Sequence, residues 1–237
     1  MPFYKLTYSA PYRRATVHNL GCNFRCLGCA YKLKGGHPKP ERIPPLQEIK
    51  QALAGLDCER VHFMGGEPTT CPDLPEMLRF CKQELGLVAG LGHTNGSRLP
   101  AEPFDFTNVS FKAFAPDKHL EYTGQPREAV YHNFRRAHAR GIACKASTVL
   151  IPGFTDQDEV LRIAEFVASV APDIPFHIMG YMPVPGMPWR RPTDEEMAAT
   201  VAAVREVLPD VGFSHLTAEQ GRDLSARDDR FRVVQVV

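Results

Sequence analysis

Strand-like and helix-like stretches alternate six times along this chain, and no other feature limits the choice of fold as much. Short apolar or alternating runs at residues 15–20, 60–64, 87–91, 108–114, 142–151 and 175–181 predict strands. Between the first two, Leu46, Ile49, Leu53 and Leu56 recur at helical spacing. Asp73 is placed to cap a helix reaching about Leu85, with Pro75 tolerated in its first turn. Val130, Phe134 and Ala137 share one face of a helix that stops at Gly141. Thr155 with Asp158 predicts a capping box for a helix to about Val170, and Thr193 with Glu196 another for a helix through Val207. Such alternation predicts parallel strands joined by helical crossovers. An open doubly wound sheet and a partial barrel both satisfy it. Residues 1–14 read as an N-terminal arm, 15–208 as the core and 209–237 as a C-terminal extension, with a short strand at 213–216 and a polar tail at 221–229. All 237 residues then form one domain around one core.

Directly after the first predicted strand the chain runs Gly21-Cys22-Asn23-Phe24-Arg25-Cys26-Leu27-Gly28-Cys29, with cysteines at C-x3-C-x2-C spacing. Thiolates this close suit iron–sulfur clusters or zinc. Structural zinc closes a tetrahedron with four protein ligands. Here the next cysteine is Cys58 and no second C-x2-C pair follows. Three ligands without a local fourth suggest a 4Fe–4S cluster with one iron open, against the plainer reading of three unpaired thiols. Cys58, Cys71 and Cys81 lack metal-like spacing and read as small buried hydrophobes rather than a second cluster.

Composition excludes several other classes. Hydrophobic residues make up 43% and charged residues 23%, and the formal charge of +1 gives no whole-molecule attraction for nucleic acid or an anionic membrane. The basic run Arg135, Arg136 and Arg140 reads as a solvated helix face. No apolar run approaches the roughly 20 residues that span a bilayer, and residues 1–12 lack the apolar core of a signal peptide. A reducing, cytoplasmic location is expected, with the seven cysteines unpaired by disulfides.

The unusual residues fall at equivalent places. The cysteines follow the first strand, Gly65-Gly66-Glu67 the second and Thr94-Asn95-Gly96 the third. Lys112 lies near the end of the fourth, Pro152-Gly153 follows the fifth and residues 180–188 follow the sixth. All gather at the carboxyl edge of the sheet, where α/β folds place their sites. Gly65 and Gly66 let a ligand approach the backbone, and Glu67 offers a carboxylate for an ammonium group. Strand parity groups Ser110 with Lys112, and Lys145 with Ser147, so Lys112 and Ser147 are candidates to meet a ligand. The methionines Met179, Met182 and Met187 with Trp189 read as loop packing or as one wall of a pocket.

Cys22-x3-Cys26-x2-Cys29 followed by Phe63-Met64-Gly65-Gly66-Glu67-Pro68 resembles the radical S-adenosylmethionine (SAM) superfamily. Thr94-Asn95-Gly96, Lys112, Val149-Leu150-Ile151-Pro152-Gly153-Phe154-Thr155-Asp156 and the strand ending at Tyr181 are similar to segments of the pyruvate formate-lyase activating enzyme and its glycyl radical activase relatives. The resemblance implies a partial (β/α)6 TIM-type barrel of parallel strands, open on one side. It implies a 4Fe–4S cluster on Cys22, Cys26 and Cys29, with SAM chelating the fourth iron. Gly65, Gly66 and Glu67 would hold the SAM ammonium. Thr94, Asn95, Ser110, Ser147, Tyr181 and Met182 are further candidates for the SAM site, and Lys112 for a catalytic role. The implied reaction is reductive cleavage of SAM to a 5′-deoxyadenosyl radical that abstracts a hydrogen atom. The implied partners are a glycyl radical enzyme and a low-potential donor such as a flavodoxin or ferredoxin. A small-molecule or peptide substrate is the alternative, and a non-catalytic iron–sulfur protein the third reading.

The chain departs from that pattern at named positions. The residue before the third cysteine, usually aromatic and in contact with adenine, is Gly28. Acidic residues that line a monovalent-cation site in the activases align with His93 and Ser110, and a histidine near the adenine aligns with Met182. The inserted ferredoxin-like domain of many activases is absent, since only Cys58 lies between Cys29 and Gly65. Adenine is then expected against Met182 or the 180–188 loop.

Overall fold

The computed structural model describes residues 1–227 and 233–237. Among these, nine strands form one sheet: β1 (Phe3–Ser9), β2 (Arg14–Asn19), β3 (Arg60–Met64), β4 (Val88–Thr94), β5 (Phe106–Ser110), β6 (Ala143–Leu150), β7 (Phe176–Gly180), β8 (Val211–Ser214) and β9 (Val234–Gln235). Strands β2 to β8 lie side by side in chain order and are all parallel. β1 runs antiparallel to β2, and β9 antiparallel to β1. The sheet does not close, because β8 and β9 are its two edges. This is a mixed α/β architecture with a mostly parallel open sheet, as expected, with β8 as a seventh parallel strand.

The helices are α1 (Leu46–Ala54), α2 (Leu74–Arg79), α3 (Pro116–Thr123), α4 (Glu128–Ala139), α5 (Gln157–Val170), α6 (Asp194–Arg205) and α7 (Ala218–Arg227). Period-two alternation decides what each sheet face does. Val61 and Phe63, Ala89 and Leu91, Val109 and Phe111, Ala146, and Phe176 and Ile178 are buried, in one core with Ile49, Leu53, Phe134, Ile163, Val167 and Val201 of the helices. Phe111 is the hub: its ring centroid lies 5.1 Å from Tyr131, 5.2 Å from Phe134 and 5.7 Å from Phe166. Edge-on aromatic pairs of this kind contribute about 0.5–1.5 kcal/mol each beyond area burial. The alternate positions, including His62, Asn108, Lys145 and His177, fall on the other face and stay partly exposed.

Several local expectations change. The stretch around Pro116 forms α3, which the periodicity did not reveal. The helix expected over 73–85 is α2 followed by a wider π-helical turn (Phe80–Glu84), and the Asp73 side chain makes no capping bond. Thr155 does not cap α5. Its hydroxyl donates to the Lys112 carbonyl at 3.0 Å, and Asp156 caps instead, accepting from the Glu159 N–H. The Thr193–Glu196 capping box forms in full. Arg140 is more than a solvated charge, since its guanidinium donates to the carbonyls of Pro100, Ala101 and Glu102. The arm at 1–14 contributes β1, and the C-terminal extension supplies both sheet edges. The polar tail is helical through Arg227, and its last two residues lie outside the described residues.

Candidate active site

The cysteine loop leaves β2 at the carboxyl edge and is held by backbone hydrogen bonds to neighbours on both sides. The Arg25 and Leu27 N–H groups donate to the carbonyls of Thr123 and Tyr122, both at 2.9 Å, so the C-terminal end of α3 carries the loop. On the other side the Glu67 N–H donates to the Gly21 carbonyl at 2.8 Å. Asn19 ties the same corner, donating to the Gly21 carbonyl at 3.1 Å and the Glu67 carbonyl at 2.7 Å. Gly66 is obligatory here: at φ +49° a Cβ would come within 1.8 Å of the Gly21 carbonyl oxygen.

A pocket of about 1190 Å3 opens over this edge. Cys22, Cys26 and Cys29 wall one side, Gly65, Gly66, Thr94, Asn95, Ser110 and Lys112 the strand ends, and residues 30–39 the rim. The Cys22 sulfur accepts from the Phe24 N–H at 3.3 Å and the Asn95 side chain at 3.7 Å. Asn95 also donates to Asn23 at 2.8 Å, and Asn23 to Ser97 at 2.9 Å. Burial pushes the Cys26 thiol up to about 11, with Lys112 pulling it back and the other two cysteines adding to the rise. Deprotonation there calls for a compensating cation, which a bound iron would supply. Among the described residues no three Cys, His, Asp or Glu side chains converge in single-ion geometry. Thiols set around a pocket would suit the ligand set of an iron–sulfur cluster.

Glu67 differs from its expected role. It is fully buried, and its carboxylate accepts from the Thr69 N–H (3.1 Å), the Thr69 hydroxyl (2.6 Å), the Thr94 hydroxyl (2.7 Å) and the Asn95 N–H (2.6 Å). Burial raises its pKa while those bonds oppose the rise. The carboxylate braces the ends of β3 and β4, and the backbone of Gly65 and Gly66 is what reaches the pocket. Lys112 Nζ donates to Ser110 Oγ at 2.7 Å. His93 is exposed on the pocket wall, and desolvation by that wall lowers its pKa, with Lys112 and His177 adding to the shift.

Three other candidates lie off the pocket wall. Ser147 is buried and donates to the Val109 carbonyl at 3.5 Å. Tyr181 belongs to a satellite apolar cluster with Tyr122, Ile151, Phe154 and Val184, against which Trp189 packs. Met182 follows on the loop and does not line the pocket. Trp189 and Met187 are therefore loop packing. The same cluster explains Gly28, where a Cβ would meet the Tyr122 hydroxyl at 2.5 Å and the Tyr181 ring at 2.9 Å. The residues missed from sequence are Asn19, Asn23, Tyr31, whose hydroxyl accepts from the Gly66 N–H at 3.2 Å on the pocket wall, and Tyr122. Only Tyr122 left a local signal: Pro116 and Asp117 open a helix and Gly124 closes it.

The radical SAM superfamily signature matches residues 16–167. A Methanocaldococcus jannaschii protein named "putative glycyl-radical enzyme activating enzyme" is 28% identical over 178 residues, 71% of this chain and 68% of that protein. GTP 3′,8-cyclase of Stenotrophomonas maltophilia is 27% identical over 162 residues, 63% of this chain and 49% of the cyclase. SuiB of Streptococcus suis, solved with S-adenosylmethionine bound, superposes with a TM-score of 0.65 at 15% identity, over 88% of this chain and 50% of SuiB. The chain thus spans about half the length of the cyclase and of SuiB.

Proposed function

Because this chain belongs to the radical SAM superfamily, whose cofactors are a 4Fe–4S cluster and SAM, we propose that it activates a partner protein by abstracting a hydrogen atom from a backbone glycine. Cys22, Cys26 and Cys29 would hold the cluster in this reading, which would leave it short of a fourth protein ligand and open to SAM. When bound, the cluster and SAM supply a one-electron reductive cleavage that yields methionine and a 5′-deoxyadenosyl radical.

The chain's own residues do the positioning. The backbone of Gly65 and Gly66 borders SAM closely because neither carries a side chain. Lys112, whose ammonium has Ser110 as its hydrogen-bond partner, offers a side-chain cation from the strand ends that wall the pocket. The Asn95–Asn23–Ser97 chain fixes the Cys22 loop against β4, and α3 fixes the Cys26 loop from the other side. Tyr122 and Tyr181 close the space above Gly28 and keep water from the back of the loop.

The observation that carries the reading is that three clustered cysteines and a Gly–Gly strand end share one wide pocket at the edge of an unclosed sheet. A polypeptide loop can enter such a pocket, and the similarity to an activating enzyme favours that substrate. A small molecule taken directly is the second reading, favoured by the similarity to a GTP cyclase. The test is anaerobic incubation of the reconstituted enzyme with reductant, SAM and a glycyl radical enzyme encoded beside it, read by electron paramagnetic resonance. A glycyl doublet is expected. SAM cleavage with no doublet from any such partner would favour the second reading.

A further inference from the structure

The electrostatics of the pocket mouth differ from those of the molecule as a whole. Seven of the 28 Lys and Arg residues, but none of the 27 Asp and Glu residues, fall in residues 1–40. Arg25, Lys32, Lys34 and Lys39 from this stretch line the pocket, and Lys112 faces them from the strand ends. Among the described residues no Asp or Glu lines it. The nine strands contain none either, and the buried Glu67 carboxylate, which raises the Cys22 pKa, offsets only part of the positive charge from beneath the floor. Glu67, beside Gly66, is already saturated by four donors.

The rim cations are also unspent. Elsewhere Arg13, Arg42, Lys50, Arg79, Lys82 and Arg190 pair with carboxylates. Lys32 donates to the Leu27 carbonyl at 2.7 Å and so braces the cysteine loop. The side chains of Arg25, Lys34 and Lys39 are exposed and have no hydrogen-bond or ion-pair partner among the described residues. A 4Fe–4S core of about 2+ held by three thiolates would leave a net charge of about 1−, less than the rim cations carry together. A low-dielectric concave mouth lined by one sign of charge concentrates ligands of the opposite sign.

We propose that the substrate is anionic, and that it presents carboxylate or phosphate groups to Arg25, Lys34 and Lys39 as its reacting end enters the pocket. This rests on the radical SAM reading above and adds the chemical class of what that radical acts on. Carboxylates would come from an acidic polypeptide segment flanking the target glycine, phosphates from a phosphorylated small molecule.

The reconstituted enzyme with SAM bound can be titrated with two probes, a Glu-rich peptide with a central glycine and inorganic tripolyphosphate. A peptide with Gln in place of every Glu serves as reference. At least one anionic probe should bind about tenfold tighter than the neutral peptide, and the advantage should fall as salt is raised. The double variant Lys34→Glu/Lys39→Glu should reduce that binding by about tenfold or more. Preference for the peptide assigns the anion to a polypeptide, and preference for tripolyphosphate to a phosphorylated small molecule. Either preference supports the proposal. It is overturned if neither probe outcompetes the neutral peptide, or if binding is the same in the double variant. SAM cleavage by the unaltered enzyme, measured alongside, judges the parent reading independently.

Discussion

Replacing Cys26 with alanine should leave a folded protein that retains no stable iron–sulfur cluster and cleaves SAM at no more than the background rate. Cys26 is one of three thiols walling the pocket, and burial pushes its thiol up to about 11. With two thiolates left, a cluster loses a ligand that no other cysteine is placed to replace. Cys71, Cys81 and Cys144 are buried in the core, and Cys58, only half-buried where a buried thiol was expected, lies off the pocket wall and donates to the Arg60 carbonyl at 3.1 Å. Burial pushes Cys81 and Cys144 each up to about 12, which marks them as inert thiols. Alanine at Cys22 or Cys29 should act like alanine at Cys26, whereas alanine at Cys81 should cost stability and keep the cluster. Iron content and visible absorption after anaerobic reconstitution measure the difference. Full iron loading of the Cys26 variant would remove the assignment.

Glu67→Ala should be the most damaging substitution outside the cysteines, for a reason that is structural before it is chemical. Four donors converge on this buried carboxylate, from Thr69 twice, Thr94 and Asn95. Removing an acceptor strands them in a space water enters with difficulty. Each buried unsatisfied group costs about 1–3 kcal/mol, and breaking a buried charged network about 3–5 kcal/mol. A loss of about 3–5 kcal/mol in chemical denaturation is expected. Glu67→Gln should fall between, because its amide group turns a donor toward donors. Asn95 is one of the four and also donates to Cys22, so the alanine variant should load less iron as well. Unchanged stability would mean that the brace contributes nothing.

The parts of this account that were legible in the sequence are those where chemistry and periodicity are local. Cys22, Cys26 and Cys29 announce themselves by spacing. The strands announce themselves because apolar positions alternate with His62, Asn108 or Lys145 in runs bounded by turns. Gly65 and Gly66 needed only their place after a strand. Thr193 and Glu196 formed the capping box because both halves of it lie within one turn.

What was not legible depended on where distant residues meet. Helix α3 buries His119, Tyr122 and Thr123 rather than an apolar stripe, so periodicity missed it, although it carries the cysteine loop. The direction of Glu67 was unreadable, because a carboxylate at a strand end serves a ligand or a neighbouring strand with equal ease. Asp156 displaced Thr155 as the cap because the Thr155 hydroxyl is engaged by the Lys112 carbonyl from another strand. Gly28 read as a missing aromatic contact. In three dimensions it makes room for Tyr122 and Tyr181, which come from far along the chain.

The central claim is that the pocket walled by these three cysteines is where SAM is cut by a single electron. Its most direct test is the product balance of the reconstituted wild-type protein, incubated anaerobically with SAM and a strong one-electron reductant. The account predicts 5′-deoxyadenosine and methionine in equal amounts, both absent without reductant and both absent in the Cys26→Ala protein. Intact SAM, or the same cleavage in the absence of a cluster, would contradict it.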